Sequence, residues 1–584
     1  MDVIDTASRH VRGRAMAYML GLLLLLVPLA SCGGGTLQAP AAVQFTPIDL
    51  GIPAEALNSP ITGPVPDTMP LHVSVTFKVN QAVLNRLNGQ KVQPGQPSHL
   101  EQDANQLGIS DSTYQKFKNF FGIKGISLKL SKMRTNLTID AKASTFGKVL
   151  QTSFAYHQYH GRKFFAPKTP PKLPKFLADS IVAITGLDDF STPPQRTPVK
   201  QSYILPGSAK HPAQDCNADR QTLFPKQVAH AYHYDELWNH GWHGENMTVN
   251  LVEIDGFYSS DIQNYFSCVN YHGHATVSSV DGAPTQALGE ATLDIEMVAG
   301  LARTANIAVY QTDGNTSGDI WTQVNDELQQ IINDNTNNAN AGSAVSISLG
   351  AAESEISGAD RSAIDQSLSI LTKAEHMTVF VASGDCAAFT DRVYRSLSVS
   401  FPASDPWSVS VGGTVLSVDG NGNRTNEVVW SDNSTPFSCK NNWGSGGGNS
   451  QLFQRPGWQS GYNVNNRYSR GARQIPDVSA AAFALAVYFQ GQWASVGGTS
   501  AAAPIWAAGQ ILVNQGLISQ VHKFAYSPQE FYVVANNSPG MRPYYDITRG
   551  NNLYFPAATG WDFATGFGTP SLWDFYQSLS RQLR

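Results

Sequence analysis

The sequence predicts an α/β protein in two parts: a doubly wound, mostly parallel sheet beyond residue 222, preceded by a smaller α+β unit. Three observations lead there. A chain of 584 residues is too long for one ordinary core. Beyond residue 222, apolar runs alternate with helix-like stretches, as parallel strands covered by helices require. Between residues 71 and 189, period-two patterns gather around a short helix pattern, as in a compact α+β unit.

Residues 1–32 read as a targeting segment. Arg9, Arg12 and Arg14 precede an apolar run from Tyr18 to Ala30, short for a membrane span. The run ends in Leu29-Ala30-Ser31-Cys32, which resembles the lipobox of bacterial lipoproteins. That resemblance implies a lipid anchor on Cys32; the alternative is an ordinary signal peptide with an incidental cysteine. Either way the expectation is export, to the cell surface or beyond. Residues 33–70, rich in Gly, Pro and Ala, read as a flexible tether.

Within 71–189, His72 to Val79 alternates as a strand, Ser110 to Phe121 suggests a helix, and Ile126–Leu130, Leu137–Ile139 and Gln151–His157 suggest further strands. Residues 190–221, with several prolines, read as an exposed linker open to cleavage. In the domain at 222–584, strands are expected at Thr248–Ile254, Ile307–Tyr310, Ala344–Leu349 and Thr378–Ala382, with helices near 288–302, 318–334 and 361–376. Active residues of such sheets collect at the carboxyl ends of strands.

Bulk composition narrows the partners. The net charge of −5 argues against nucleic acid. Charged residues make up 15% of the chain, against about 25% in typical soluble proteins. Such a surface changes little when carboxylates protonate, which suits an acid-exposed protein. Setting Cys32 aside, four cysteines remain for an oxidising compartment, allowing three pairings. Proximity in sequence favours Cys216–Cys268 and Cys386–Cys439.

The chemistry concentrates in three places. Gly497-Gly498-Thr499-Ser500 precedes a helix expected over Ala501 to Val513, with Pro504 in its first turn. A serine there gains free N–H donors and the positive end of the helix dipole. Glu290 and Asp294 stand four apart on one helix face, so the two carboxyls titrate together and one pKa rises. Glu296 lies off that face. Asp385, in Ser383-Gly384-Asp385, follows a strand and, when protonated, donates a hydrogen bond to an oxyanion. A glutamate base, with reference pKa about 4.3 against about 6.5 for histidine, works at lower pH than an imidazole. Together these groups predict a serine peptidase that acts in acid on polypeptides.

At these residues the chain resembles the sedolisins, the serine-carboxyl peptidases, and among them the kumamolisin-like members with a pro-region. The resemblance rests on Glu290-x-x-x-Asp294, Ser383-Gly-Asp385, Phe401 to Pro406, Val411 to Thr414, Gly446 to Gly448, Ile475 to Val478, Gly497 to Ser500 and Gly560-Trp-Asp562, in that order. It implies a subtilisin-like catalytic domain with Ser500 as nucleophile, Glu290 as base, Asp294 orienting it and Asp385 at the oxyanion. It also implies that 71–189 is a ferredoxin-like pro-domain that inhibits the zymogen until removal in acid. The resemblance further implies one calcium ion, held by Asp546 and Asp562 with the carbonyls of Ile547, Ala558 and Gly560; Ala558 stands where glycine is common. Ser445, Gly446 and Gly447 would offer peptide substrate a strand edge. Glu253 matches a glutamate that extends the carboxyl network in some relatives, but Leu349 replaces the tryptophan that accompanies it. The expected enzyme is a monomeric endopeptidase. Alternatives are a tripeptidyl-peptidase of the same family, a histidine-dependent subtilisin relative using His272 or His274, and a non-catalytic peptide-binding lipoprotein.

Overall fold

The computed structural model describes residues 43–92, 99–194, 222–314, 318–336, 340–391, 396–432, 439 and 443–584. The catalytic part is built on an eight-stranded sheet. Across it run Ala275–Ser279, Asn306–Gln311, Thr248–Glu253, Ala344–Ile347, Thr378–Ala382 and Ser408–Val418, all parallel, with Val478–Ala481 also parallel to the last of them. Arg424–Val429 closes one edge as an antiparallel hairpin partner. Strands Thr248–Glu253, Ala344–Ile347 and Thr378–Ala382 are buried at every position, which explains their largely apolar character. Leu251 and Phe380 belong to the core on one face, Val252 and Val379 to the core on the other.

The strand order reverses beside Thr248–Glu253: the next two strands lie to one side, and Ala344–Ile347 lies to the other. Such a reversal opens a crevice at the carboxyl ends. Glu253 ends one bordering strand and Ser348 follows the other.

The three expected helices form as Glu290–Leu301, Ile320–Asn335 and Gly358–Lys373. The Ser500 helix differs from expectation. It runs Thr499–Val521 from a Gly498 cap, so Ser500 is in its first turn and Pro504 lies inside it. Proline cannot donate to the carbonyl four residues back, here that of Ser500. Ser348 Oγ lies within hydrogen-bond reach of that oxygen, at 3.1 Å.

The pro-region carries an antiparallel sheet ordered Ser127–Leu130, Asn136–Lys142, Pro70–Phe77, Ile181–Thr185. Helix Asp111–Phe121, capped by Ser110, buries Phe117 and Phe121 against it. The tether expected up to residue 70 is not one from Phe45 onward. Phe45–Pro47 pairs with Lys172–Pro174, and Leu50, Ile52, Ala56 and Val65 join the pro-region core. Scattered apolar residues without periodicity gave no sign of this. The expected linker likewise starts docked: Phe190 and Ser191 are buried, and Trp321 Nε1 donates to the Thr192 carbonyl at 2.8 Å. The pro-region sits on helices Ile320–Asn335 and Gly358–Lys373. Ser74 Oγ and Asn136 Nδ2 donate to Asp326 Oδ1, at 2.9 and 3.2 Å, and Gln366 Nε2 donates to the Phe77 carbonyl at 2.8 Å.

Cys386 and Cys439 form the expected disulfide, with Cα atoms 5.1 Å apart. Cys268 is also disulfide-bonded, while its expected partner Cys216 and the anchor residue Cys32 lie outside the described residues. Among the described residues no helix is long and apolar enough to cross a membrane.

Candidate active site

Helix Glu290–Leu301 starts under an acid cap that sequence reasoning missed. Asp255, in the turn after strand Thr248–Glu253, accepts hydrogen bonds from the N–H groups of Leu288, Gly289 and Ala291 at 2.7, 3.0 and 3.0 Å. A carboxylate at a helix N-terminus satisfies orphan donors and favours the dipole. The cap fixes the first turn, and so the direction of Glu290.

Behind Glu290 lies a row of buried carboxyls. Asp294 is fully buried and accepts from Ser348 Oγ at 2.6 Å. Glu253 is fully buried too and faces the Asp294 carboxyl, despite Leu349 replacing the tryptophan. Burial pushes all three groups up. It raises Glu290, reinforced by the neighbouring Asp294 charge and opposed by a hydrogen bond from Ser500. It raises Asp294 to about 8 against the Ser348 hydrogen bond, and raises Glu253, reinforced by Asp294. Three acids in contact share protons rather than ionise together. Glu296, on the far side of the helix, accepts from the Tyr488 N–H at 2.8 Å and takes no part.

Ser500 Oγ is shared between the Glu290 carboxyl and the Ser348 carbonyl oxygen, the latter at 3.4 Å. Asp385 approaches from strand Thr378–Ala382 through Gly384, whose φ of 102° suits glycine. One oxygen of Asp385 accepts from the Thr499 N–H and hydroxyl, both at 2.8 Å. A Cβ on Gly498 would lie 3.0 Å from the other oxygen, so glycine keeps that side open. Burial raises the Asp385 pKa against those two hydrogen bonds. The arrangement brings together a hydroxyl, a carboxyl able to take its proton, and a second carboxyl able to keep one.

A small pocket beside Ser500 is lined by Ser348, Leu349, Gly350, Gly384, Asp385 and Ser400, among others. Among the described residues no histidine lines it. His272 and His274 stand at the start of edge strand Ala275–Ser279, where the His274 carbonyl accepts from Ile307.

The substrate edge expected at Ser445, Gly446 and Gly447 is not offered there. All three are buried, the Ser445 and Gly446 N–H groups bond to the Trp430 and Gly384 carbonyls, and Ser445 Oγ donates to the Ala564 carbonyl. Their small size serves close packing: a Cβ on Gly446 would overlap the Ser383 carbonyl, and one on Gly447 that of Phe563. The backbone bordering the pocket is instead Ser348-Leu349-Gly350.

Near the C-terminus, Asp546 Oδ2 accepts from the Gly560 N–H at 2.9 Å and Asp562 Oδ2 accepts from the Ala558 N–H at 2.8 Å. Burial raises both, Asp562 to about 7. Among the described residues neither pairs with Lys or Arg, and the carbonyl oxygens of Ile547, Ala558 and Gly560 accept no hydrogen bond. Two carboxyls without a basic partner, with three carbonyls on the same two segments that accept no hydrogen bond, fit a hard cation.

A model of the pro-kumamolisin activation domain matches residues 61–190, and one of the subtilase family matches residues 232–568. The chain belongs to the sedolisin family. Kumamolisin of Bacillus sp. (strain MN-32) is 29% identical over 507 residues, covering 81% of this chain and 84% of that protein. Sedolisin of Pseudomonas sp. (strain 101) is 25% identical over 534 residues, covering 85% of each. A solved structure of Pseudomonas sedolisin, a serine-carboxyl proteinase complexed with two molecules of pseudo-iodotyrostatin, aligns with a TM-score of 0.53 at 25% identity. It covers 62% of this chain and 98% of that one. This sedolisin is therefore a serine-type peptidase with an activation domain on a subtilisin-like fold.

Proposed function

We propose that this sedolisin is an exported, acid-acting serine endopeptidase, made as a zymogen and activated by its own cleavage at low pH. One observation carries the reading: the Ser500 hydroxyl meets the Glu290–Asp294 carboxyl pair and shares its pocket with a half-buried Asp385 whose pKa desolvation raises, with no histidine among the described lining residues. Ser500 Oγ attacks the substrate carbonyl carbon while its proton passes to the Glu290 carboxylate. Asp294 and Glu253 spread the charge and hold Glu290 in line. Protonated Asp385 donates to the oxyanion of the tetrahedral intermediate. Glu290 then returns the proton to the leaving amine, and water repeats the sequence on the acyl-enzyme.

Two ionisations bound the activity. Below the first ionisation of the Glu290–Asp294 pair the base is lost; above that of Asp385 the oxyanion donor is lost. Burial moves both upward from the values of free acids. The exported, lipoprotein-type N-terminus belongs to this reading through Arg9 to Cys32. So does one calcium ion at Asp546, Asp562 and the carbonyls of Ile547, Ala558 and Gly560, which would tie two loops together without entering the reaction. Acidifying the purified full chain and following its mass tests the whole. The wild type shortens by its pro-region, and Ser500→Ala stays full length; shortening of both would refute self-processing.

A further inference from the structure

Outside the Ser500 pocket, the pro-region and the catalytic domain together assemble a cluster that the peptidase reaction does not use. His72 stands on pro-region strand Pro70–Phe77, directly opposite Asp140 on strand Asn136–Lys142. Its Nδ1 meets Asp140 Oδ1 at 2.6 Å. Its Nε2 points out of the pro-region to two catalytic-domain carboxylates. Asp326 Oδ2, on helix Ile320–Asn335, is at 2.7 Å, and Asp281 Oδ2, beyond strand Ala275–Ser279, is at 3.5 Å. The three ligand-type atoms of His72, Asp281 and Asp326 lie within 4.8 Å of one another.

We propose that His72, Asp281 and Asp326 form a divalent transition-metal site of the zinc type that staples the pro-region to the catalytic domain. Ligand atoms about 2.0–2.2 Å from such an ion stand roughly 3–3.5 Å apart, so small movements bring these three to one centre. An imidazole nitrogen among two carboxylates suits zinc-type ions, whereas calcium takes oxygen alone. Asp140 on Nδ1 is the partner that a metal-bound histidine ordinarily has, orienting the ring and directing Nε2 to the ion.

A separate observation points to a cation. Glu327, next along the same helix, is completely buried, and neither of its carboxyl oxygens has a hydrogen-bond partner. Its strongest charge interactions are with Asp281 and then Asp326. Asp140, Asp281 and Asp326 thus surround one imidazole, Glu327 lies behind Asp281 and Asp326, and none of the four forms an ion pair with Lys or Arg among the described residues. A dication offsets the charge of its two carboxylate ligands, Asp281 and Asp326, and water completes its shell. Since its ligands come from both parts of the chain, the ion binds the zymogen better than the separated parts. By linkage it therefore slows loss of the pro-region.

The test is made on the full chain carrying Ser500→Ala, so that its outcome does not depend on peptidase activity. Protein stripped with chelator, at neutral pH with excess calcium to occupy any oxygen-only site, is titrated with Co2+ and read by its visible absorption. One saturable equivalent, displaced by Zn2+, is expected. Asp140→Asn should weaken binding by roughly 10–100-fold, and His72→Gln should abolish the nitrogen-ligand band. Asp281→Asn, at the exposed rim, gives a second ligand variant should His72→Gln fold poorly, and should also weaken binding at least tenfold. No saturable binding, or binding unchanged in both ligand variants, would overturn the proposal and leave His72 as an ion-pair partner alone.

Discussion

Two acidic regions of this sedolisin lie inside the catalytic domain and behave differently. Asp477, in the Ile475 to Val478 motif, is completely enclosed, yet every lone pair has company. Arg473 reaches both its oxygens at 2.7 and 2.5 Å, Tyr532 donates at 2.6 Å, and the Ser410 N–H donates at 2.7 Å. Glu253 and Asp294 are enclosed as deeply and, with half-buried Glu290, face one another; both oxygens of Glu253 and one each of Asp294 and Glu290 lack a hydrogen-bond partner. A paired buried charge holds a fold together; stacked unpaired acids hold protons. The first region is architecture, and the second is chemistry.

The sharpest break in that comparison comes from the nucleophile. Ser500→Ala should lower kcat by about a million-fold, measured on a denatured protein in acid, with the fold unchanged by circular dichroism. Asp385→Ala, which removes the oxyanion donor, should lower kcat by about 10²–10³-fold with little change in KM. Asp477→Ala should do the reverse. It strands the buried Arg473 guanidinium and should cost about 3–5 kcal/mol of stability in denaturant titration, without moving the pH profile of whatever enzyme remains folded.

A smaller effect separates the regions through pH. Acids whose folded pKa is raised stabilise the native state fully below their unfolded pKa, and that contribution is lost as pH rises through the folded value. For Asp294 the loss runs from near 4 to about 8. Wild-type stability should therefore fall across that window, and Glu253→Gln, by removing one acid of the row, should flatten the fall. An equal slope in both proteins would mean the row carries no shared proton. Smallest of all, chelating calcium should lower the melting temperature of wild type more than that of Asp546→Asn.

Much of this site could be read from the chain, because Ser500, Glu290, Asp294 and Asp385 each sit in a short contiguous motif. What supports them could not. Asp255 and Ser348 act through positions at the ends of separate strands, and only the sheet order brings them to helix Glu290–Leu301 and to Ser500. Pro504 was visible, but its effect on the Ser500 carbonyl depends on where the helix starts. Gly446 and Gly447 suggested an open edge, whereas the space their missing side chains leave is filled by protein. Residues 45–65 lacked periodicity because each buries a single side chain at a time in a core made elsewhere.

The most direct test of the account is the pH dependence of kcat/KM for the mature enzyme and for Asp385→Asn. An asparagine amide donates at every pH, so the alkaline limb of the wild-type profile should move upward or vanish in the variant while the acid limb stays. An alkaline limb at the same pH in both proteins would contradict a proton on Asp385 as the source of oxyanion stabilisation.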